Sequence, residues 1–232
     1  MTLFGLVRHG QTEYNARGLF QGSVDIPLND TGREQAHAAL DHVPDLGWDV
    51  VVSSPQSRAE ETARIIGADH QIPFGGTESD LREIDWGIAE GKPREEMNAL
   101  YPDRDFPGRE DPQAVADRGY AALERLAERF PGQRVLIVSH GTTTRLLLTG
   151  IVQRPLPSIP NGTLSLIDLD ADAWEVRMVA GQRLDRPVRV ARRRGRCGLE
   201  VDPAAVAPDH GSDTPVSSDA HEPLDHVAKE AR

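Results

Sequence analysis

Five short apolar runs recur along the chain: Leu3–Val7, Val50–Ser53, Val135–Ser139, Thr163–Leu169 and Glu175–Val179. Each is strand-length, rich in Val, Leu or Ile, and bounded by turn-forming residues. Helical patterns lie between them. In "DTGREQAHAAL" a capping box is read with Thr31 as N-cap and Glu34 three residues on. "SSPQSRAEETARIIG" offers Ser54 as N-cap, Pro55 at the first helical position and Gly67 as the stop. "DPQAVADRGYAALERLAERF" places Val115, Ala122, Leu123, Leu126 and Phe130 on one helical face. This alternation predicts an α/β domain around a largely parallel sheet. The last two strands read as a hairpin turning at Asp170–Ala173, and no internal repeat is apparent.

The pattern changes near Pro187. The domain is expected over residues 1–188, and residues 189–232 read as a disordered tail, first basic, then acidic and rich in Pro, Ser, Asp and Ala. That tail has too few large apolar residues to offset its ordering entropy. The cluster Arg192–Arg194 suits an anionic surface or partner, or simply a solvated basic linker. Over the whole chain 37 acidic residues outnumber 26 basic ones, for a formal net charge of -11. That balance argues against general nucleic-acid binding, which needs basic surface to displace counterions. An anionic ligand must instead meet a local basic pocket. A single cysteine, Cys197, allows no internal disulfide and points to a reducing compartment. With no apolar stretch long enough to span a membrane and no leader pattern, a cytoplasmic protein is expected.

The chemistry gathers at strand ends. In open α/β sheets ligands collect beyond the carboxyl ends of the strands. The first strand delivers Arg8 and His9 with Gly10 behind; "DVVVSS" feeds a helix whose first turn carries Arg58; "RVLIVS" delivers His140, Gly141 and Thr142. Two Arg and two His converging on one rim suit a phosphoryl group. Guanidiniums bind its oxygens bidentately, a helix start adds N–H donors, glycines let backbone approach the ligand, and a neutral histidine is a nucleophile.

These segments carry a resemblance. "LVRHGQTEYN", "SSPQSRAEETA", "LREIDWGIAEGK" and "VLIVSHGTTTRLLL", in this order over roughly residues 3–180, resemble the histidine phosphatase superfamily, also called phosphoglycerate mutase-like. The resemblance implies a three-layer α/β/α sandwich with a mainly parallel central sheet. It implies His9 as the nucleophile that becomes a phosphohistidine, with Arg8, Arg58 and His140 binding the phosphoryl group and stabilising its charge. Glu83, in "DLREIDWG", is implied as the general acid, and a partly desolvated carboxylic acid can keep its proton for that task. Asn15 and Gly141 complete the implied phosphate-binding set. Gln21, Gly22 and Arg109 are candidate substrate contacts, and no metal or other cofactor is implied.

Blander roles remain open for several of these residues. Glu83 could pair with Arg82 or cap a turn; Asn15 and Thr142 could be helix caps. His37 and His42 read as surface residues, and His210, His221 and His226 fall in the tail. Asp168, Asp170 and Asp172 mimic a calcium loop but lack its Gly (Ala173) and terminal Glu (Val179), so a solvated turn fits better. The stretch after Glu83 is short and lacks the mutase pattern of paired arginines, although it holds Lys92, Arg94, Arg104 and Arg109. A phosphomonoesterase acting on a small phosphorylated metabolite is therefore expected. A cofactor-dependent phosphoglycerate mutase and a non-catalytic phospho-ligand binder are the alternatives.

Overall fold

A computed structural model describes residues 1–41 and 46–191. Cys197, His42, the Arg192–Arg194 cluster and the three tail histidines lie outside the described residues. The strands are β1 (Thr2–Arg8), β2 (Val50–Ser53), β3 (Phe74–Thr77), β4 (Arg134–Ser139), β5 (Leu164–Leu169), β6 (Ala173–Val179) and β7 (Gln182–Ala191). The helices are α1 (Glu13–Ala16), α2 (Asp30–Ala38), α3 (Ser57–Asp69), α4 (Arg94–Leu100), α5 (Pro112–Arg129) and α6 (Gly141–Val152). One seven-stranded sheet runs in the order β3-β2-β4-β1-β5-β6-β7. The β3, β2, β4 and β1 side pairs parallel, and β5, β6 and β7 pair antiparallel. The expected α/β sandwich is present, with an antiparallel extension at one side of its sheet.

Both faces of the sheet are covered, which is why its central strands read as unbroken apolar runs. Side chains alternate. Phe4, Leu6, Val50, Val52, Val135 and Ile137 meet Leu123 and Leu126 of α5 and Leu146, Leu147 and Ile151 of α6. Val7, Val51, Leu136 and Val138 meet Ala59, Ala63 and Ile66 of α3. Val115, Ala122, Leu123 and Leu126 of α5 are buried as expected, and Phe130 packs at the edge of the same core.

Several boundaries differ from the sequence reading. The cap of helix α2 lies two residues before the expected one: Asn29, not Thr31, is the N-cap, and its Oδ1 accepts from Gly32 N at 2.8 Å. Helix α3 starts at Ser57 rather than Pro55, and Ser54 accepts from Gln56 N at 3.4 Å ahead of the helix instead of capping it. Its Oγ lies 2.8 Å from His140 Nε2. A carboxylate from another loop caps the helix instead: Asp25 Oδ1 accepts from both Ser57 N and Ser57 Oγ at 2.8 Å. Gly67 does not stop α3. It lies inside the helix, where a Cβ would come within 2.9 Å of the Ile72 carbonyl.

Strand β3, "FGGT", carries two glycines and reads as loop; β7 is charged, and its last residues, 189–191, read as tail. The expected boundary at residue 188 falls inside β7, which pairs along β6 to Ala191. As an edge strand β7 tolerates Pro187 and needs few apolar residues. The Asp170–Ala173 turn is as expected, with Asp170 Oδ1 accepting from the N–H groups of Asp172 and Ala173.

Gly10 follows His9 and packs on α2. A Cβ there would sit 2.1 Å from the Gly32 carbonyl oxygen. Replacing Gly10 by Ala forces β1 and α2 apart and should lower unfolding stability by about 1–3 kcal/mol. The check is urea denaturation, where the midpoint falls at unchanged slope; a wild-type midpoint would refute this packing role.

Candidate active site

Register brings the two histidines together. In the parallel β1–β4 ladder Arg8 pairs with Ser139, so His9 and His140 leave adjacent strands at the same level. Their rings lie 5.1 Å apart, centroid to centroid. His9 N donates to the Ser139 carbonyl (3.0 Å), and its Nδ1 lies 2.6 Å from the Gly10 carbonyl oxygen. A carbonyl only accepts, so Nδ1 carries the proton and Nε2 keeps its lone pair. Nε2 accepts from Arg58 Nε at 3.3 Å.

Arg58 is completely buried in the first turn of α3. Backbone carbonyls compensate it: Nη1 donates to Val24 O (3.0 Å) and Nη2 to Gly22 O (2.9 Å). With its amide oriented to suit its neighbours, Gln21 accepts at Oε1 from Arg58 Nη1 (3.0 Å) and Nε (3.2 Å) and donates to Thr12 Oγ1. Burial lowers the Arg58 pKa to about 10, against the opposing charges of Glu83 and Asp25. Arg8 donates from Nη1 to the Ile159 carbonyl at 2.6 Å.

Glu83 sits over the start of α6. Its Oε1 accepts from Ile84 N, Thr143 N and Thr143 Oγ1, each at 3.0 Å, and its Oε2 from Thr142 N at 3.1 Å. A carboxylate at a helix N-terminus meets free N–H groups and the positive end of the dipole. Glu83 thus caps a helix distant in sequence rather than pairing with Arg82, whose partners are Asp80 and Glu110. Thr142 is not the cap of α6; His140 holds that position without a side-chain cap bond. Asn15 belongs to a capping box on α1, where its Oδ1 accepts from Thr12 N at 3.2 Å.

Arg8, His9, Asn15, Gln21, Gly22, Arg58, Glu83 and Gly141 all line one cleft. His140 is fully buried behind it, ring to ring with His9. Arg109 lies off the lining: its Nη1 donates to the Arg104 carbonyl at 2.6 Å and its Nη2 faces Asp105. Gly10 makes room for α2, and a Cβ on Gly141 would meet the Arg8 side chain at 3.1 Å. Among the described residues no three His, Cys, Asp or Glu side chains are grouped to hold a metal ion, and no helix is long and apolar enough to cross a membrane.

Two supporting residues were not singled out from sequence. Gln56 Nε2 donates to Gly22 O (2.9 Å), and its Oε1 accepts from Glu83 N (2.9 Å), tying the Arg58-binding loop to Glu83. Arg118 of α5 donates to the carbonyls of Asp80, Arg82 and Glu83 while paired with Glu110. Both act between segments remote in sequence, so no local pattern marks them.

Residues 4–181 match the histidine phosphatase superfamily (branch 1). The chain is 38% identical over 181 residues to the uncharacterized phosphatase PhoE of Bacillus subtilis, covering 76% of this chain and 93% of that protein. It is 34% identical over 190 residues to a probable phosphoglycerate mutase GpmB of Salmonella newport, covering 73% and 86% respectively. The solved structure of Bacillus stearothermophilus YhfR superposes with a TM-score of 0.70 at 28% identity, over 78% of this chain and 98% of that one. The chain belongs to the histidine phosphatase superfamily.

Both histidines are held neutral. His9 lies well below its ordinary pKa because of burial first, then the Arg58 and Arg8 charges. His140 is lowered by burial, then by Arg58, His9 and Arg8. In the unfolded chain each titrates near about 6.5. As pH falls below that value the unfolded chain takes up protons that the folded one refuses. Stability present above about pH 6.5 is therefore lost on acidification, by up to about 1.4 kcal/mol per pH unit for each histidine. Urea denaturation between pH 6 and 5 should show a slope shallower by about 1 kcal/mol per unit in His140→Gln. Equal slopes would contradict the neutral, buried state of His140.

Proposed function

We propose that the protein is a metal-independent phosphomonoesterase acting on a small phosphorylated metabolite through a phosphohistidine on His9. The observation that carries this reading is the His9 ring itself. Its Nδ1 proton is committed to the Gly10 carbonyl, and its Nε2 lone pair stands among Arg8, Arg58 and His140.

In the first step His9 Nε2 attacks phosphorus; the N–P bond forms as the bond to the ester oxygen breaks. Arg8 and Arg58 neutralise charge on the phosphoryl oxygens, with His140 beside them, which is most of what phosphoryl transfer asks of a protein. The leaving oxygen takes a proton from the Glu83 carboxylic acid. In the second step water attacks the phosphohistidine and gives a proton to the Glu83 carboxylate, releasing phosphate and restoring both residues. The donors around Glu83 orient its carboxyl for both steps. Asn15, Gln21, Gly22 and Gly141 complete the wall of the phosphate site.

The relative named as a probable phosphoglycerate mutase keeps a second reading in view, in which the phosphohistidine passes its phosphoryl group to an acid rather than to water. The test is hydrolysis of p-nitrophenyl phosphate, repeated with EDTA, and a screen including 3-phosphoglycerate with its bisphosphate primer. His9→Ala should cut kcat by about 10³-fold or more, EDTA should not, and acid-quenched protein should carry phosphate on His9. Activity that survives His9→Ala, or label on another residue, overturns the mechanism. Formation of 2-phosphoglycerate without net phosphate release identifies a mutase, and ligand binding without turnover identifies a binding protein.

A further inference from the structure

One ring nitrogen of His140 is accounted for and the other is not. Its Nε2 lies 2.8 Å from Ser54 Oγ. Its Nδ1 is buried and has no hydrogen-bond partner among the described residues. A buried polar atom without a partner is unfavourable, and a ligand atom that meets it relieves that cost. The ring stands 5.1 Å from the His9 ring, and it is held neutral by burial and by the Arg58, His9 and Arg8 charges. A neutral imidazole carries one proton, and the nitrogen that holds it decides what the other can do.

The surroundings of Ser54 bear on that choice. Ser54 is fully buried and directly follows β2. Its backbone N–H donates to the Val138 carbonyl at 2.9 Å, which sets it beside β4 two residues before His140. Its Oγ accepts from Gln56 N at 3.4 Å, and among the described residues His140 Nε2 is its other hydrogen-bond partner. A hydroxyl brings one donor and two acceptor positions. Were His140 protonated on Nε2, that N–H would donate to Ser54 Oγ. The Ser54 proton would then lack an acceptor, and the His140 Nδ1 lone pair would lack a donor. With Ser54 donating to Nε2, only the Nδ1–H of His140 lacks a partner. This second arrangement leaves one buried group unsatisfied instead of two, and the group it leaves is a donor.

We propose that Ser54 is a positioning residue: it donates to His140 Nε2, holds the imidazole proton on Nδ1, and so makes His140 a hydrogen-bond donor to a phosphoryl oxygen. This rests on the phosphatase reading of the cleft and specifies how His140 takes part in it. Both histidines then carry their proton on Nδ1, with opposite use. In His9 the proton is engaged by the Gly10 carbonyl, and the Nε2 lone pair serves for attack. In His140 the lone pair is engaged by a hydroxyl, and the proton serves the phosphoryl group. A preset N–H strengthens its bond as charge builds on the phosphoryl oxygens, whereas the other tautomer would turn a lone pair towards them and repel them.

The experiment reads the tautomer in the full chain. Long-range ¹H–¹⁵N NMR correlations of the ¹⁵N-labelled protein distinguish protonated from unprotonated ring nitrogens, and His140→Gln identifies the His140 signals among the eight histidines. Wild type should show a protonated Nδ1 and an unprotonated Nε2. Ser54→Ala should give a mixture of tautomers, and Ser54→Thr, which keeps the hydroxyl, should restore Nδ1–H. Affinity for orthovanadate and kcat/KM for p-nitrophenyl phosphate should each fall about tenfold in Ser54→Ala, the scale of one hydrogen bond, and recover in Ser54→Thr. A wild-type ring protonated on Nε2 overturns the proposal, and this result needs no variant of Ser54 to fold. So does a Ser54→Ala protein that keeps the wild-type tautomer, or one whose tautomer changes while its vanadate affinity does not. The spectra and the vanadate affinity need no turnover. A protein that shows the expected tautomers and vanadate affinities but hydrolyses no ester therefore fails the phosphatase reading alone.

Discussion

The parallel pairing of β1 with β4 is the constraint on which the site depends. Each strand is apolar on both faces, so a slip of one residue would turn Phe4 and Leu6 out of one core and Val7 out of the other. The register is therefore held by packing against α5 and α6 on one side and α3 on the other. Its by-product is chemical. Arg8 stands opposite Ser139, and the next residue of each strand is a histidine at the same edge of the sheet. The neighbouring strand adds to this, since Ser54 N donates to Val138 O and Ser54 Oγ meets His140.

The second requirement is to bury Arg58 without leaving it unsatisfied. A fully desolvated guanidinium needs its N–H groups met, and carbonyls of residues 22 and 24 meet them at little electrostatic cost to its charge. Neutral partners leave its positive charge available to a phosphoryl group, where a carboxylate partner would have cancelled it. The loop that provides these carbonyls is itself tied down. Gln56 bonds Gly22, and Glu90 accepts from both Ser23 N and Ser23 Oγ. Gln56 also carries Glu83, and Arg118 grips the carbonyls on either side of it. The donors and acceptors of the cleft are thus oriented before any ligand arrives, the condition under which electrostatics accelerates phosphoryl transfer.

Much of this was legible in the chain. β1, β2 and β4 read as strands because their apolar runs are continuous, and Arg8, His9 and His140 stand out because each run ends in them. Arg58 was legible from its place at a helix start. The cap of α3 was not, because its carboxylate, Asp25, comes from a loop more than thirty residues away, while Ser54, the local candidate, is engaged by His140. β3 was hidden by its glycines and β7 by its charges; each is a strand only because a neighbour offers an edge. Arg94 and Arg104 were visible as basic residues, and Arg145 only as a member of "VLIVSHGTTTRLLL", with nothing local to place them in the cleft.

By itself the sequence determined the alternation of buried strands and amphipathic helices, hence the α/β class, and which residues close the central strands. Apolar periodicity and strand ends are local properties, written within a few neighbouring residues. Only the tertiary structure decided which nitrogen of His9 keeps its lone pair, what satisfies Arg58, that Glu83 caps α6, and which arginines share the cleft. Those outcomes depend on hydrogen bonds between segments tens of residues apart, and the packing of the sheet brings those segments together.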